Sequence, residues 1–296
     1  MKFLERHSML VLVIGLLGVS ASAILVKYAT APSVVTAAYR LGWTVLLMTP
    51  AVFGNRAHRA ELFSSSKKLM GLCAAAGIFL ALHFVSWFES LSMTSVASST
   101  AIVCTEVIWV SLGFCVFLKG KLARPALLSI AVTLAGSMII AFSDSSAGGD
   151  NIFGDLVALI SAMLVAAYTL IGRVARANSS ATVYSYLVYC FCFAALILAS
   201  AVSGTPLWGY EPVNQAVGFF LALLSTILGH NIFNWCLRYM SPSFVSASKL
   251  CEPIIAAFFA WLLFSEVPAV LQVIGGAVII AGVISYSRVE GASASK

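Results

Sequence analysis

Apolar residues fill this chain in long blocks. Apolar runs lie at about 8–28, 33–53, 66–88, 94–118, 124–142, 152–172, 181–203, 214–237, 242–264 and 268–287, each bounded by charge, Pro or Gly. A run of roughly 20 apolar residues matches the hydrocarbon thickness of a bilayer as a helix, and in lipid the backbone must satisfy its own hydrogen bonds. The pattern predicts an all-α integral membrane protein with ten transmembrane helices. Pro32, Pro125, Pro242 and Pro268 fall at or near predicted helix starts, where a missing N–H costs nothing. Ten spans leave about 80 residues for loops and tails, too few for a soluble catalytic domain.

Composition agrees. Of the 296 residues, 61% are hydrophobic and 9% charged, against about 25% charged in soluble domains. Mean hydropathy is +1.01. A soluble enzyme, a disordered chain and a nucleic-acid reader are excluded. The formal charge of +6 reflects topology. With the N-terminus inside, fourteen of the seventeen Lys and Arg fall on the inner side, Lys27 falls outside, and Arg40 and Lys249 fall within spans. That positive-inside bias predicts a multi-pass protein of the inner or plasma membrane with both termini cytoplasmic. Met9 to Tyr28 reads as a first span, not a cleaved signal. The seven cysteines sit in apolar runs with no metal-ligand spacing and read as packing residues.

The chain also repeats itself. A shift of 146 residues lays the stretch from Ser90 over the stretch from Cys236. Leu91 then pairs with Leu237, Ser95 with Ser241, Ala101 with Ala247, Glu106 with Glu252 and Ile108 with Ile254. The register continues as Ala135-Gly136 over Ala281-Gly282. Two five-helix halves, 1–145 and 146–296, follow. Five is odd, so the second half enters the membrane from the opposite side and the repeats are inverted. That is an architecture of secondary transporters, with the substrate site near the midplane.

These residues resemble the ten-helix EamA-type members of the drug/metabolite transporter superfamily. The resemblance rests on the two halves, on SPSFVSASKLCEPIIAAFFAWLLFSEV with the following GGAVIIAG, and on Pro32 with Arg40. The acidic residue that ends this helix in the family stands here as Glu266, whereas its first-half counterpart is Gly120. The resemblance implies a cavity surrounded by helices one, three, four, six, eight and nine, with five and ten behind it. It also implies alternating access for a small polar metabolite, often an amino acid.

Several residues are candidates for substrate or proton binding. Glu106 and Glu252 sit near the middle of spans four and nine, where a charged, lipid-facing carboxylate costs several kcal/mol. They are expected to bind a substrate amine, exchange a proton, or lock helices by hydrogen bonds. Lys249 lies one turn before Glu252 on the same face, so a local ion pair is expected, or a role in holding a substrate carboxylate. Pro253 removes the N–H that the Lys249 carbonyl would otherwise receive. Glu106 has Val103 in the place of Lys249 and is expected to be the exchangeable acid. Trp109 shares the Glu106 face and would be a wall of the site or ordinary packing. His230 and Asn234 on span eight, and His83 on span three, are expected to line the path. Arg40 would be a snorkelling or interhelix anchor, or else a gate or a contact for a substrate carboxylate. Ala131/Ala135 and Ala277/Ala281, each followed by Gly, read as close helix packing.

No nucleophile or metal cluster is visible, so the chain reads as a non-enzyme without cofactor. A channel would need rings of charge or carbonyls. The expected partners are a small-molecule substrate, the lipid bilayer and, where transport is proton-linked, protons. Two acids plus one Lys suit an amino acid or derivative. An organic cation or amine is the alternative, and a channel or receptor without a transport cycle the remote one.

Overall fold

A computed structural model describes residues 8–94, 96–145, 152–252, 254–255, 262 and 270–294. Among them every regular element is helical. In chain order these are α1 (Ser8–Val26), α2 (Ser33–Phe53), α3 (Arg56–Phe63), α4 (Lys67–Met93), α5 (Val96–Cys104), α6 (Glu106–Phe117), α7 (Arg124–Ser145), α8 (Ile152–Ala175), α9 (Ala181–Val202) and α10 (Pro212–Phe220). A π-helical stretch, Leu221–His230, continues into α11 (Asn231–Cys236). Then come α12 (Pro242–Ser248), a 3-10 turn Lys249–Cys251, and α13 (Val270–Ala294).

Five helices are long and apolar enough to cross a membrane: Ser8–Val26, Lys67–Met93, Ile152–Ala175, Ala181–Val202 and the composite Pro212–Cys236. Shorter apolar segments lie at Ile102–Phe117, Arg124–Gly136 and Val273–Tyr286. Large apolar side chains remain exposed along them, among them Leu17, Leu82, Leu112, Leu128, Leu198 and Leu271. Water would not tolerate such surfaces and lipid does. The protein is therefore an all-α, multi-pass membrane protein. Pro32 precedes the first residue of α2 and Pro242 opens α12, whereas Pro268 lies outside the described residues.

The chain forms two compact units, Met1–Val85 with Ala167–Tyr239, and Ser86–Ala166 with Met240–Lys296. In the first, α1 packs on the π-helical stretch and α2 packs on α9 and α10. Glycine allows the first of these approaches: a Cβ on Gly18 would sit 2.5 Å from the Leu224 carbonyl oxygen. Asn214, fully buried, clasps the loop between α1 and α2. Its Oδ1 accepts from the N–H groups of Thr30 (2.8 Å) and Ala31 (2.9 Å), and its Nδ2 donates to Thr30 Oγ1 (2.9 Å).

In the second unit α7 packs on α13 and α5 packs on α7. A Cβ on Gly136 would meet the Gly275 carbonyl oxygen at 2.8 Å, and Gly282 lies against Thr133. Close packing was expected of Ala131, Ala135, Ala277 and Ala281, but all four alanines are exposed. The glycine beside each pair makes the contact, because only it lets the two backbones meet.

Candidate functional site

Helices α5 and α6 are two pieces of one predicted span, interrupted at Thr105. The backbone tightens there: Thr105 N–H donates to the Ile102 carbonyl (3.0 Å) and Ile108 N–H to the Thr105 carbonyl (2.9 Å). The Thr105 hydroxyl donates to the same Ile102 oxygen at 2.6 Å and competes with the helical ladder. Glu106 is the first residue after the break and is buried. The second half of the chain repeats this feature. After α12 the backbone tightens over Lys249–Cys251, and Glu252 N–H donates to the Lys249 carbonyl. Pro253, itself outside the described residues, has no N–H to offer that oxygen. The i−3 bond from Glu252 takes its place. Glu106 and Glu252 thus each follow a turn closed by an i−3 backbone hydrogen bond.

The interruption in α12 turns Lys249 toward the other helix. Lys249 Nζ donates to Glu106 Oε1 at 2.8 Å, with side-chain exposures of 8% and 5%. Lys249 thus meets a carboxylate beyond its local neighbour Glu252, and Glu106, with no cation on its own helix, meets one from elsewhere in the chain. The local i, i+3 rule cannot foresee a partner 143 residues away. Helices α6 and α12 pack along each other, and their facing ends meet at this pair, so they run antiparallel. Trp109 and Ser246 then lie at one level, each one turn from the pair. Trp109 Nε1 and Ser246 Oγ are both buried hydrogen-bonding atoms without a protein partner. The Cys104 thiol lies within the electrostatic reach of Glu106, Glu252 and Lys249, so Glu252 belongs to the same charged neighbourhood.

The other unit holds a second polar cluster. Arg40 is fully buried, so it does not snorkel. Its Nε donates to Thr226 Oγ1 on the π-helical stretch (2.8 Å), one terminal nitrogen donates to Ser22 Oγ on α1 (3.3 Å), and its guanidinium carbon lies 4.1 Å from the Phe84 ring centroid. The contacts join α2 to α1, α4 and the π-helical stretch, which is interhelix anchoring. Phe84 also packs edge-on against His230 (5.5 Å) and against His83 (5.3 Å). His230 lies 6.2 Å from Tyr168. Both histidines are buried.

Asn234 is buried as a structural tie. Its Oδ1 accepts from Tyr168 Oη at 2.7 Å and its Nδ2 donates to Ser185 Oγ at 3.1 Å, joining α8, α9 and α11. Arg176 Nε donates to the Asn234 carbonyl at 2.9 Å, another of its nitrogens reaches the Ser179 carbonyl, and Arg173 reaches the Leu237 carbonyl. Two cations therefore cap the carbonyl end of α11, where a helix leaves acceptors unsatisfied. Burial and the neighbouring Arg238 lower the Arg176 pKa to about 10, which leaves it charged at neutral pH. Hydropathy gave no sign of Tyr168, Thr226 or Phe84 in this cluster. The position of His230 four residues before Asn234 was the one available hint.

An apolar chain that is helical throughout its described regular elements belongs to the class of multi-pass membrane proteins. Comparison with known proteins makes this specific: residues 152–288 match the EamA-like transporter family. The resemblance drawn from sequence to the drug/metabolite transporter superfamily is borne out. An uncharacterised transporter of Clostridium kluyveri is 23% identical over 250 residues, 82% of this chain and 79% of that protein. A pseudopaline exporter of Pseudomonas aeruginosa is 25% identical over 232 residues, 76% of this chain and 78% of its own. An S-adenosylmethionine/S-adenosylhomocysteine transporter of Chlamydia trachomatis is 30% identical over 116 residues, 36% of this chain and 35% of its own. A solved crystal structure covers 96% of this chain and 98% of its own with TM-score 0.78 at 14% identity, a likeness of fold. Family and relatives together support a small-molecule transporter.

Proposed function

We propose that the protein is a secondary transporter that moves a zwitterionic amino acid or amino-acid derivative by alternating access, using the Glu106–Lys249 pair as its recognition element. The observation that carries this reading is the buried 2.8 Å contact between Lys249 Nζ and Glu106 Oε1 at the interruption of two helices. Removing one partner of such a pair leaves an uncompensated buried charge. A zwitterion avoids that cost. Its ammonium group takes the Glu106 carboxylate, its carboxylate takes the released Lys249 ammonium, and charge stays balanced throughout. Glu252, one turn from Lys249, offers a second seat for either cation. Trp109 and Ser246 bring hydrogen-bonding atoms to the same level. An organic amine without a carboxylate would occupy Glu106 and offer Lys249 no carboxylate in exchange.

Discontinuous helices at the midplane are where transporters of inverted-repeat architecture bind substrate. The matched interruptions before Glu106 and Glu252 support reading the chain as two inverted five-helix halves, 1–145 and 146–296, with ten spans. The charge bias supports both termini on the cytoplasmic side of an inner or plasma membrane. The relatives named for S-adenosylmethionine and S-adenosylhomocysteine support the amino-acid-derivative class, since both compounds carry a free α-amino acid group. A proton on Glu106 would also release Lys249, which offers a route to proton linkage.

The test is a thermal-shift screen of purified protein against amino acids, S-adenosylmethionine, simple amines and sugar acids, followed by counterflow in proteoliposomes with the strongest binder. The reading expects a zwitterion to stabilise the protein and to accelerate exchange saturably. Stabilisation by amines alone would favour an organic-cation transporter. Flux that neither saturates nor responds to substrate on the far side would mark a channel.

A further inference from the structure

Between α2 and α4 the chain leaves the apolar spans and forms α3, a helix of 8 residues with no buried position. Its residues sort cleanly by helical periodicity. Arg56, Arg59, Ala60 and Phe63 are exposed on one face, while His58, Glu61 and Leu62 are half-buried on the other. The inward face is tied down. Glu61 Oε1 accepts from Ser180 N–H at 2.6 Å, His58 Nδ1 lies 3.0 Å from the Ala51 carbonyl oxygen, and Asn55 caps the helix through Ala57 N–H at 2.9 Å. The one acid of α3 is therefore turned inward and engaged. The charged residues of the outward face are all cations, and Lys67 and Lys68, four and five residues further on at the start of α4, are exposed as well. Beside the cations stand two exposed aromatic rings, Phe53 and Phe63, edge to face at 6.5 Å.

A short polar helix joining two apolar spans lies at the headgroup level of the membrane, where clustered Lys and Arg meet lipid phosphates. We propose that Arg56, Arg59, Lys67 and Lys68 form a binding site for an anionic phospholipid such as phosphatidylglycerol, with acyl chains lying on Phe53 and Phe63. The aromatic pair selects a lipid over a soluble anion, because a free phosphate gains nothing from it. The site reaches beyond anchoring. Glu61 holds the N-terminal amide of α9 at Ser180, so a lipid that fixes α3 also fixes the start of that span.

The experiment uses full-length protein in detergent, titrated with phosphatidylglycerol, with phosphatidylcholine of the same acyl chains, and with glycerophosphate. Retained lipid is read by native mass spectrometry and stability by apparent Tm. Phosphatidylglycerol should bind roughly tenfold or more tightly than phosphatidylcholine, and the preference should shrink as salt rises. Glycerophosphate should produce no shift. Changing Arg56, Arg59, Lys67 and Lys68 together to Gln should abolish the preference while leaving the Tm in phosphatidylcholine unchanged. Should that variant not fold, the pair Arg59→Gln with Lys67→Gln is read the same way. Equal binding of the two lipids, a preference that survives the Gln changes, or a glycerophosphate shift equal to that of phosphatidylglycerol would each overturn the proposal.

Discussion

Replacing Lys249 by Met probes the assignment of its partner. Met keeps the length and volume of the side chain and removes the charge, so packing changes little. What is lost is the 2.8 Å contact with Glu106, whose side chain is 5% exposed and cannot turn to water. Breaking a buried pair from one side costs about 3–5 kcal/mol. At roughly 2–4 °C per kcal/mol, the lower figure lowers the apparent Tm by about 6–12 °C. Glu106→Gln should also lower the Tm, since it removes the carboxylate 2.8 Å from Lys249 Nζ. The double variant should recover most of the loss, because two neutral side chains can pack where two charges paired. The assay is apparent Tm in one detergent for the four proteins of the cycle. The Lys249–Glu106 coupling should reach about 2 kcal/mol or more. Additive losses would refute the pairing and the mechanism built on it.

Other parts of the molecule make their own predictions. Arg40→Lys should destabilise the protein by about 2 kcal/mol or more, seen as a lower apparent Tm, because an ammonium group cannot reach Thr226 and Ser22 while lying flat on Phe84. Gly18→Leu should abolish stable expression, measured by size-exclusion recovery, since even a Cβ there sits 2.5 Å from the Leu224 oxygen. Asn214→Ala should cost about 2–3 kcal/mol in apparent Tm, for it leaves the amides of Thr30 and Ala31 without their acceptor. Cysteine placed at exposed Arg59 should react with a charged maleimide far faster than cysteine at buried Arg176; equal rates would contradict the capping role of Arg176.

Hydropathy alone located most of the helices. The run at 33–53 is the helix Ser33–Phe53, and the run at 181–203 is Ala181–Val202. Long apolar blocks leave the backbone no other choice in lipid. The internal shift also aligned Glu106 with Glu252, and both prove to follow a tightened turn. Three things were hidden. The helix break at Thr105 depends on a hydroxyl bonding its own backbone, which apolar periodicity does not register. The Glu106 partner of Lys249 is set by which helices pack together, and sequence proximity offered only Glu252. Helix α3 is too short and too polar for a span search, and its charges entered the sequence reading only as topology signals. The π-helical stretch at Leu221–His230 has no sequence signature of its own; it surfaces where Asn231 N–H reaches back to the Thr226 carbonyl.

The central claim is that one substrate carries both charges that the Glu106–Lys249 pair exchanges. Counterflow in proteoliposomes tests it most directly, with the amino acid or derivative that gives the largest thermal shift as labelled substrate. Competitors are the same compound unlabelled, its methyl ester and its N-acetyl form. The ester keeps the ammonium and lacks the carboxylate; the N-acetyl form does the reverse. The account predicts that the unlabelled zwitterion competes fully and that each blocked form loses at least tenfold in potency, a difference of about 1.4 kcal/mol. An ester that competes as well as the zwitterion would show that Lys249 holds no carboxylate, and would contradict the account.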